Sequence, residues 1–149
     1  MAKSVWAVFA GFLAVVALSL VTDQVLHMLE VYPPWGQPMW ETHLNALALS
    51  YRIVYTLLGG FITARLAPHT PMRHVMILAI IGLVAGTAGA VAAITGNFGP
   101  NWYPIALAVT AYPCTWFGGW LQWARDPEDR RDASTKTIQT RPYDARDSS

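Results

Sequence analysis

The sequence predicts an all-α protein: a four-helix transmembrane bundle, running up-down-up-down, with a disordered C-terminal tail. Three observations predict it. The chain is 54% hydrophobic, and only seven of its 19 Lys, Arg, Asp and Glu residues lie in the first 124 positions: Lys3, Asp23, Glu30, Glu41, Arg52, Arg65 and Arg73. Four nearly uncharged stretches are each about 20 residues long, the length a helix needs to cross a hydrocarbon core of about 30 Å. No stretch alternates apolar and polar residues as a membrane β-barrel strand does.

The same composition excludes other classes. Seven charges cannot solvate the surface of a soluble domain of this size. A single cysteine, Cys114, excludes a disulfide scaffold, and a net charge of +1 argues against a nucleic-acid binder. The expected partner is the lipid bilayer, and no nucleic acid.

The predicted spans are residues 4–22, 44–64, 75–95 and 102–123, making 1–124 the membrane domain. The first could be taken for a secretory signal. Its apolar run exceeds the usual 7–15 residues, no A-x-A site follows, and Thr22–His27 continues the helical pattern, so it is read as an uncleaved span. Residues 125–149 hold six basic and six acidic residues among Ser, Thr and Pro. Such a segment buries too little apolar surface to fold alone and reads as a disordered cytoplasmic tail.

Charge orients the bundle. Lys3 precedes span one, Arg65 and Arg73 flank the loop between spans two and three, and six more Lys and Arg residues follow span four. The positive-inside rule then puts both termini in the cytoplasm. Tryptophans agree, with Trp6, Trp120 and Trp123 at one boundary and Trp35, Trp40 and Trp102 at the other. The loop Tyr32–Trp40, with its three prolines and two tryptophans, reads as an ordered cap on the outer surface.

Two charges need a special explanation. Arg52 falls roughly 12 Å below the outer edge of span two, and Asp23 roughly 3 Å inside the outer edge of span one. Side chains tilt toward their own helix N-terminus, so Asp23 leans inward, Arg52 leans outward, and the head groups converge. An Asp23–Arg52 ion pair is expected in the outer half of the bundle. Each partner heads a polar stripe: Ser19, Asp23, His27 and Glu30 on helix one, and Glu41, Asn45, Arg52, Thr56, Gly59 and Thr63 on helix two. Facing stripes of this kind form either a structural hydrogen-bond seam or a ligand-binding cleft. The candidate cluster is Asp23, His27, Glu30, Arg52 and Thr56.

The i, i+4, i+7 spacing of Asp23, His27 and Glu30 places a carboxylate, an imidazole and another carboxylate on one face, which also suits a divalent metal. A neighbouring arginine repels a cation, and no HExxH or cysteine cluster is present, so no metal is assigned and no cofactor is expected. No nucleophile–base pair stands out either. The leading expectation is a non-enzymatic accessory, subunit, or small binding or transport-type protein. A membrane-embedded enzyme or metal binder using the Asp23/His27/Glu30 cluster is the alternative.

Span three carries a small-residue face (Ala79, Gly82, Gly86, Ala90 and Ala93). It is expected to permit close packing within the bundle, or against a membrane-protein partner or a second copy through Gly82 and Gly86. Span four contains Pro113, which removes a backbone donor and should kink the helix.

The stretches Thr22-Asp23…Leu26-His27, Pro33-Pro34-Trp35-Gly36-Gln37-Pro38-Met39, Tyr51-Arg52…Tyr55, Gly59-Gly60…Ala64-Arg65-Leu66-Ala67-Pro68 and Phe98-Gly99-Pro100-Asn101-Trp102-Tyr103-Pro104 resemble a family of small bacterial four-span proteins with no assigned activity. The resemblance covers about residues 5–121 and implies a bacterial inner membrane. A second likeness rests on His43-Leu44-Asn45-Ala46-Leu47, which is similar to the second-helix motif of the MAPEG family, four-span proteins that include glutathione transferases. The chain departs from that pattern. Ala48 stands where the motif has glutamate, and the preceding loop has no Lys or Arg.

Overall fold

The structure, a computed structural model, describes residues 2–126. They form four helices and no strand: α1 (Ala2–Met28), α2 (Thr42–Leu66), α3 (Pro71–Thr95) and α4 (Trp102–Arg125). The expected all-α, four-helix bundle is what the chain adopts. Of the expected tail, Arg125 closes α4 and Asp126 caps it. The rest of that tail lies outside the described residues.

Three helices are long and apolar enough to cross a membrane: α1 from Lys3, α2 and α3. The fourth matches them in length but is diluted by aromatic residues, prolines and Gln122. Every helix outruns or equals the span expected from hydropathy, and α1 continues six residues past Thr22. The apolar limit is not the helix end, because backbone bonding persists after side chains turn polar.

The helix ends have local causes. After α1, Glu30 N–H donates to the His27 carbonyl (3.2 Å) and Val31 N–H to that of Leu26 (3.0 Å). This is the double bond of a Schellman cap, with Glu30 held left-handed at φ 57°. Helix α3 ends the same way, with Asn97 at φ 53° and Phe98 N–H reaching the Ala93 carbonyl (3.2 Å). Ala67-Pro68 stops α2, and Pro71 opens α3 at a position where its missing N–H costs nothing. Pro113 sits on an exposed face of α4, which continues through it as a single helix.

Packing follows membrane rather than aqueous rules. The largest fully buried side chains are Val75 and Thr63, and the other buried apolar positions are mostly alanines (Ala7, Ala48, Ala64 and Ala79 among them), with Leu78 and Tyr32 the bulky exceptions. Bulky residues face outward, among them Trp6, Phe9, Leu13, Leu20, Ile80, Val84, Ile105 and Val109. Small residues inside let backbones approach, and large apolar ones outside meet lipid. The closest approach joins α2 to α4. A Cβ on Gly60 would collide with the Thr115 carbonyl, and one on Gly118 with the Leu57 carbonyl.

Helix α2 touches all three others, α3 packs on α4, and α1 rests on α2 and α3 without touching α4. The helices alternate in direction. The α1–α2 and α3–α4 loops meet at one end, where Met39 N–H donates to the Phe98 carbonyl (2.9 Å). Lys3, Arg65, Arg73 and Arg125 gather at the opposite end, with the α2–α3 loop and the N-terminus. The small-residue face of α3 is turned into the bundle, with Ala79 and Ala90 buried and Gly86 against Ala108 of α4.

Candidate functional site

The site is built where α1 and α2 cross near the clasped loops. Helix α1 presents Asp23, which is 7% exposed, and helix α2 presents Tyr51 and Arg52 to it. Arg52 Nη2 donates to Asp23 Oδ2 at 2.5 Å. The Tyr51 hydroxyl donates to Asp23 Oδ1, so both carboxylate oxygens are engaged. One turn deeper, the Thr22 and Tyr55 hydroxyls share a bond of 2.8 Å. The expected ion pair is present, and two tyrosines extend it into a seam.

The pair cannot be cheap. Charges at membrane depth carry a cost of a few kcal/mol unless paired, and Asp23 with Arg52 meets that condition. Arg52 Nε remains buried with no hydrogen-bond partner. An unsatisfied buried donor costs about 1–3 kcal/mol, so the guanidinium holds an unspent donor beside its spent one. Its carbon centre lies 6.0 Å from the Tyr51 ring, at the outer limit of a cation–π contact.

The outer loop covers the pair. Tyr32, nearly sealed at 6% exposure, places its hydroxyl 3.4 Å from both the Leu44 carbonyl and the Tyr51 hydroxyl. Its single proton serves one of the two at a time. Burial pushes the Tyr32 phenol above its ordinary pKa, and the nearby Asp23 charge adds to this against the opposing effects of Tyr51 and Arg52. It therefore stays a neutral hydroxyl at physiological pH. Asn45, buried in the first turn of α2, donates to the Met39 and Glu41 carbonyls, each at 3.0 Å. That side chain fastens the end of the loop to the helix.

The members of the expected cluster separate here. Asp23 and Arg52 meet directly. Thr56 lies beside them, donating to the Arg52 carbonyl at 2.7 Å. His27 bonds to neither charge. Its ring packs at a tilt against Trp35, with centroids 4.1 Å apart, and meets Tyr32 edge-on at 5.6 Å. Glu30 does not join the cluster, and this corrects the i, i+4, i+7 reading: α1 ends at Met28, and the left-handed cap carries Glu30 off the helix face. Among the described residues, no three of His, Cys, Asp and Glu gather closely enough to hold a metal ion.

Two spaces flank the pair, and Asp23 and Arg52 line both. On the loop side is an aromatic cleft of about 440 Å³, walled by Tyr32, Trp35, Tyr51, Phe98 and Tyr103. On the membrane side is an apolar cavity of about 320 Å³, between Phe12–Leu20 of α1, Gly82–Gly86 of α3 and Leu107–Thr115 of α4. Small-molecule sites occupy roughly 300–1,000 Å³ and are mostly apolar with a few polar anchors, a description both spaces fit.

Asn45 belongs to the polar stripe expected on helix two, but Tyr32, Tyr51, Tyr55 and Tyr103 were given no part in the site by sequence. Tyr51 adjoins Arg52, and the Tyr51/Tyr55 pair is spaced one helical turn apart on a face next to the polar stripe. That adjacency was the available signal. Comparison with known proteins finds no matching family model, no matching curated protein and no matching solved structure.

Proposed function

We propose that this chain is a four-span protein of a bacterial inner membrane, with both termini in the cytoplasm, that binds a small molecule at the Asp23–Arg52 site. It acts without chemical turnover, as a small binding or transport-type protein or as the binding subunit of a larger complex. The membrane placement is supported by the outward-facing bulk of the bundle and by its three strongly apolar helices. The orientation is supported by Lys3, Arg65, Arg73 and Arg125 at one end, set against loops at the other end that hold no Lys or Arg. The bacterial assignment rests on the resemblance of residues 5–121 to small bacterial four-span proteins.

One observation carries the binding reading. A purely structural ion pair is closed over by packing, whereas Asp23 and Arg52 stand between two open spaces and line both. Intramembrane ionisable groups that border cavities are the usual anchors of ligands and substrates.

The test is mass spectrometry of small molecules extracted from the purified full chain, compared with Arg52→Gln. The expected result is a compound enriched with the wild type and lost from a folded variant. A wild type that carries nothing, together with a variant that loses only folded protein, would show the pair to be a seam. For topology, a cytoplasm-restricted reporter fused after Trp123 should be active, and an inactive fusion would reverse the orientation.

A further inference from the structure

We infer that the apolar cavity beneath Asp23 and Arg52 takes a neutral, single-chain lipid bearing a carbonyl oxygen. This rests on the binding reading above and names its ligand class. Four features of the cavity lead to it.

The first is the wall. Around Asp23 and Arg52 the cavity is lined by apolar side chains and small residues of α1, α3 and α4, among them Phe12, Val15, Leu78 and Leu107, a surface that a hydrocarbon tail matches.

The second is the distribution of donors. Two of the wall hydroxyls are spent within their own helices, Thr56 on the Arg52 carbonyl (2.7 Å) and Thr115 on the Ala111 carbonyl (2.7 Å). Both Asp23 oxygens are occupied. Arg52 keeps Nε–H without a partner. The unmet need at this end of the cavity is therefore for a lone pair, which a carbonyl oxygen supplies.

The third is charge. Asp23 and Arg52 already sum to zero, so a charged head group would bring an uncompensated charge to membrane depth. A neutral acceptor satisfies the guanidinium without that cost. The fourth is size. At about 320 Å³ the cavity is near the lower end of small-molecule sites and suits one hydrocarbon chain rather than two.

Esters and quinones share this chemistry, a neutral carbonyl on a hydrocarbon tail. The experiment uses the purified full chain in non-ionic detergent and a diazirine-bearing methyl ester of a medium-chain fatty acid as photolabel. Competitors are methyl laurate, a decyl-substituted benzoquinone, dodecyl sulfonate and dodecyltrimethylammonium. Labelling is expected on the segments 82–86 and 107–115. It should be suppressed by at least one neutral carbonyl compound, with the ester or the quinone identified as the source by which competes at lower concentration. The permanently charged competitors should be weaker by about tenfold or more.

Two glycine variants make the result specific. A Cβ on Gly82 or Gly89 meets nothing within 4 Å, so both positions accept a side chain. Only Gly82 lines the cavity. Gly82→Leu should abolish labelling and Gly89→Leu should leave it. Equal labelling of the two variants, or equal competition by the charged and neutral compounds, overturns the inference. A co-purifying molecule that depends on Arg52 but is not displaced by ester or quinone overturns this ligand class and leaves the binding reading standing. With neither that molecule nor Gly82-sensitive labelling, both fall.

Discussion

The Tyr51 hydroxyl donates to the carboxylate oxygen of Asp23 that Arg52 leaves open. Two consecutive residues of one helix thus complete a single side chain of another. Tyr51→Phe should therefore strand Asp23 Oδ1 in a buried setting and destabilise the bundle by about 1–3 kcal/mol. Tyr55→Phe, which removes only the neutral Thr22 bond, should cost less, about 0.6 kcal/mol. Thermal unfolding in detergent, followed by tryptophan fluorescence, compares the two. A Tyr55 effect equal to or larger than that of Tyr51 would contradict the seam as described.

The ion pair predicts an ordering among three variants. Asp23→Asn leaves Arg52 uncompensated, and Arg52→Gln leaves Asp23 uncompensated, so each should lower folded yield, by about 2 kcal/mol or more in stability. The double variant removes both charges and should recover part of that loss. Size-exclusion yield and melting temperature read the recovery. A double variant that falls by the sum of the singles would mean that the two residues are not coupled.

Glycine substitutions should divide by location. Gly60→Ala and Gly118→Ala drive a methyl into the carbonyls of Thr115 and Leu57 and should disrupt the α2–α4 crossing. Gly82→Ala and Gly89→Ala meet open space and should leave melting unchanged within about 0.5 kcal/mol. Melting curves of the four variants settle the ranking.

Glu30 sits in left-handed backbone, where a non-glycine residue pays roughly 1 kcal/mol and asparagine is better tolerated. Glu30→Asn should stabilise α1 without loss of ligand, because Glu30 is absent from both the Asp23 network and the apolar cavity. If the variant lost ligand while gaining stability, Glu30 would have a role in binding that its position does not suggest.

The Asp23–Arg52 pair was legible in the sequence, since charge rarity, helix direction and side-chain tilt converge on it. The small-residue face of span three was legible as a packing surface but not in its importance. Gly86 meets Ala108, whereas the tightest crossing is made by Gly60 and Gly118, because a small residue does not say which backbone will approach it. Tyr51 was obscured by its class: tyrosine in a membrane helix reads as an interfacial anchor until its partner is known. Glu30 misled because the spacing that aligns it with Asp23 holds only inside a helix, and the chain leaves α1 two residues earlier. The two cavities had no signature in the sequence, being defined by how four helices and two loops pack around the pair.

Among the described residues, the side chains shut off completely are no larger than Val75 and Thr63, and only Leu78 and Tyr32 add bulk to the buried set. That inverts the usual map of mutational tolerance. In most proteins the outside drifts and the inside is held by bulky shapes. Here most of the bulk is on the outside, where one oily residue can replace another, and what the close packing demands inside is smallness itself. Homologues of this chain should differ freely in their heavy residues and agree on their light ones, so that a family built on this fold is recognised by what its inner positions leave out.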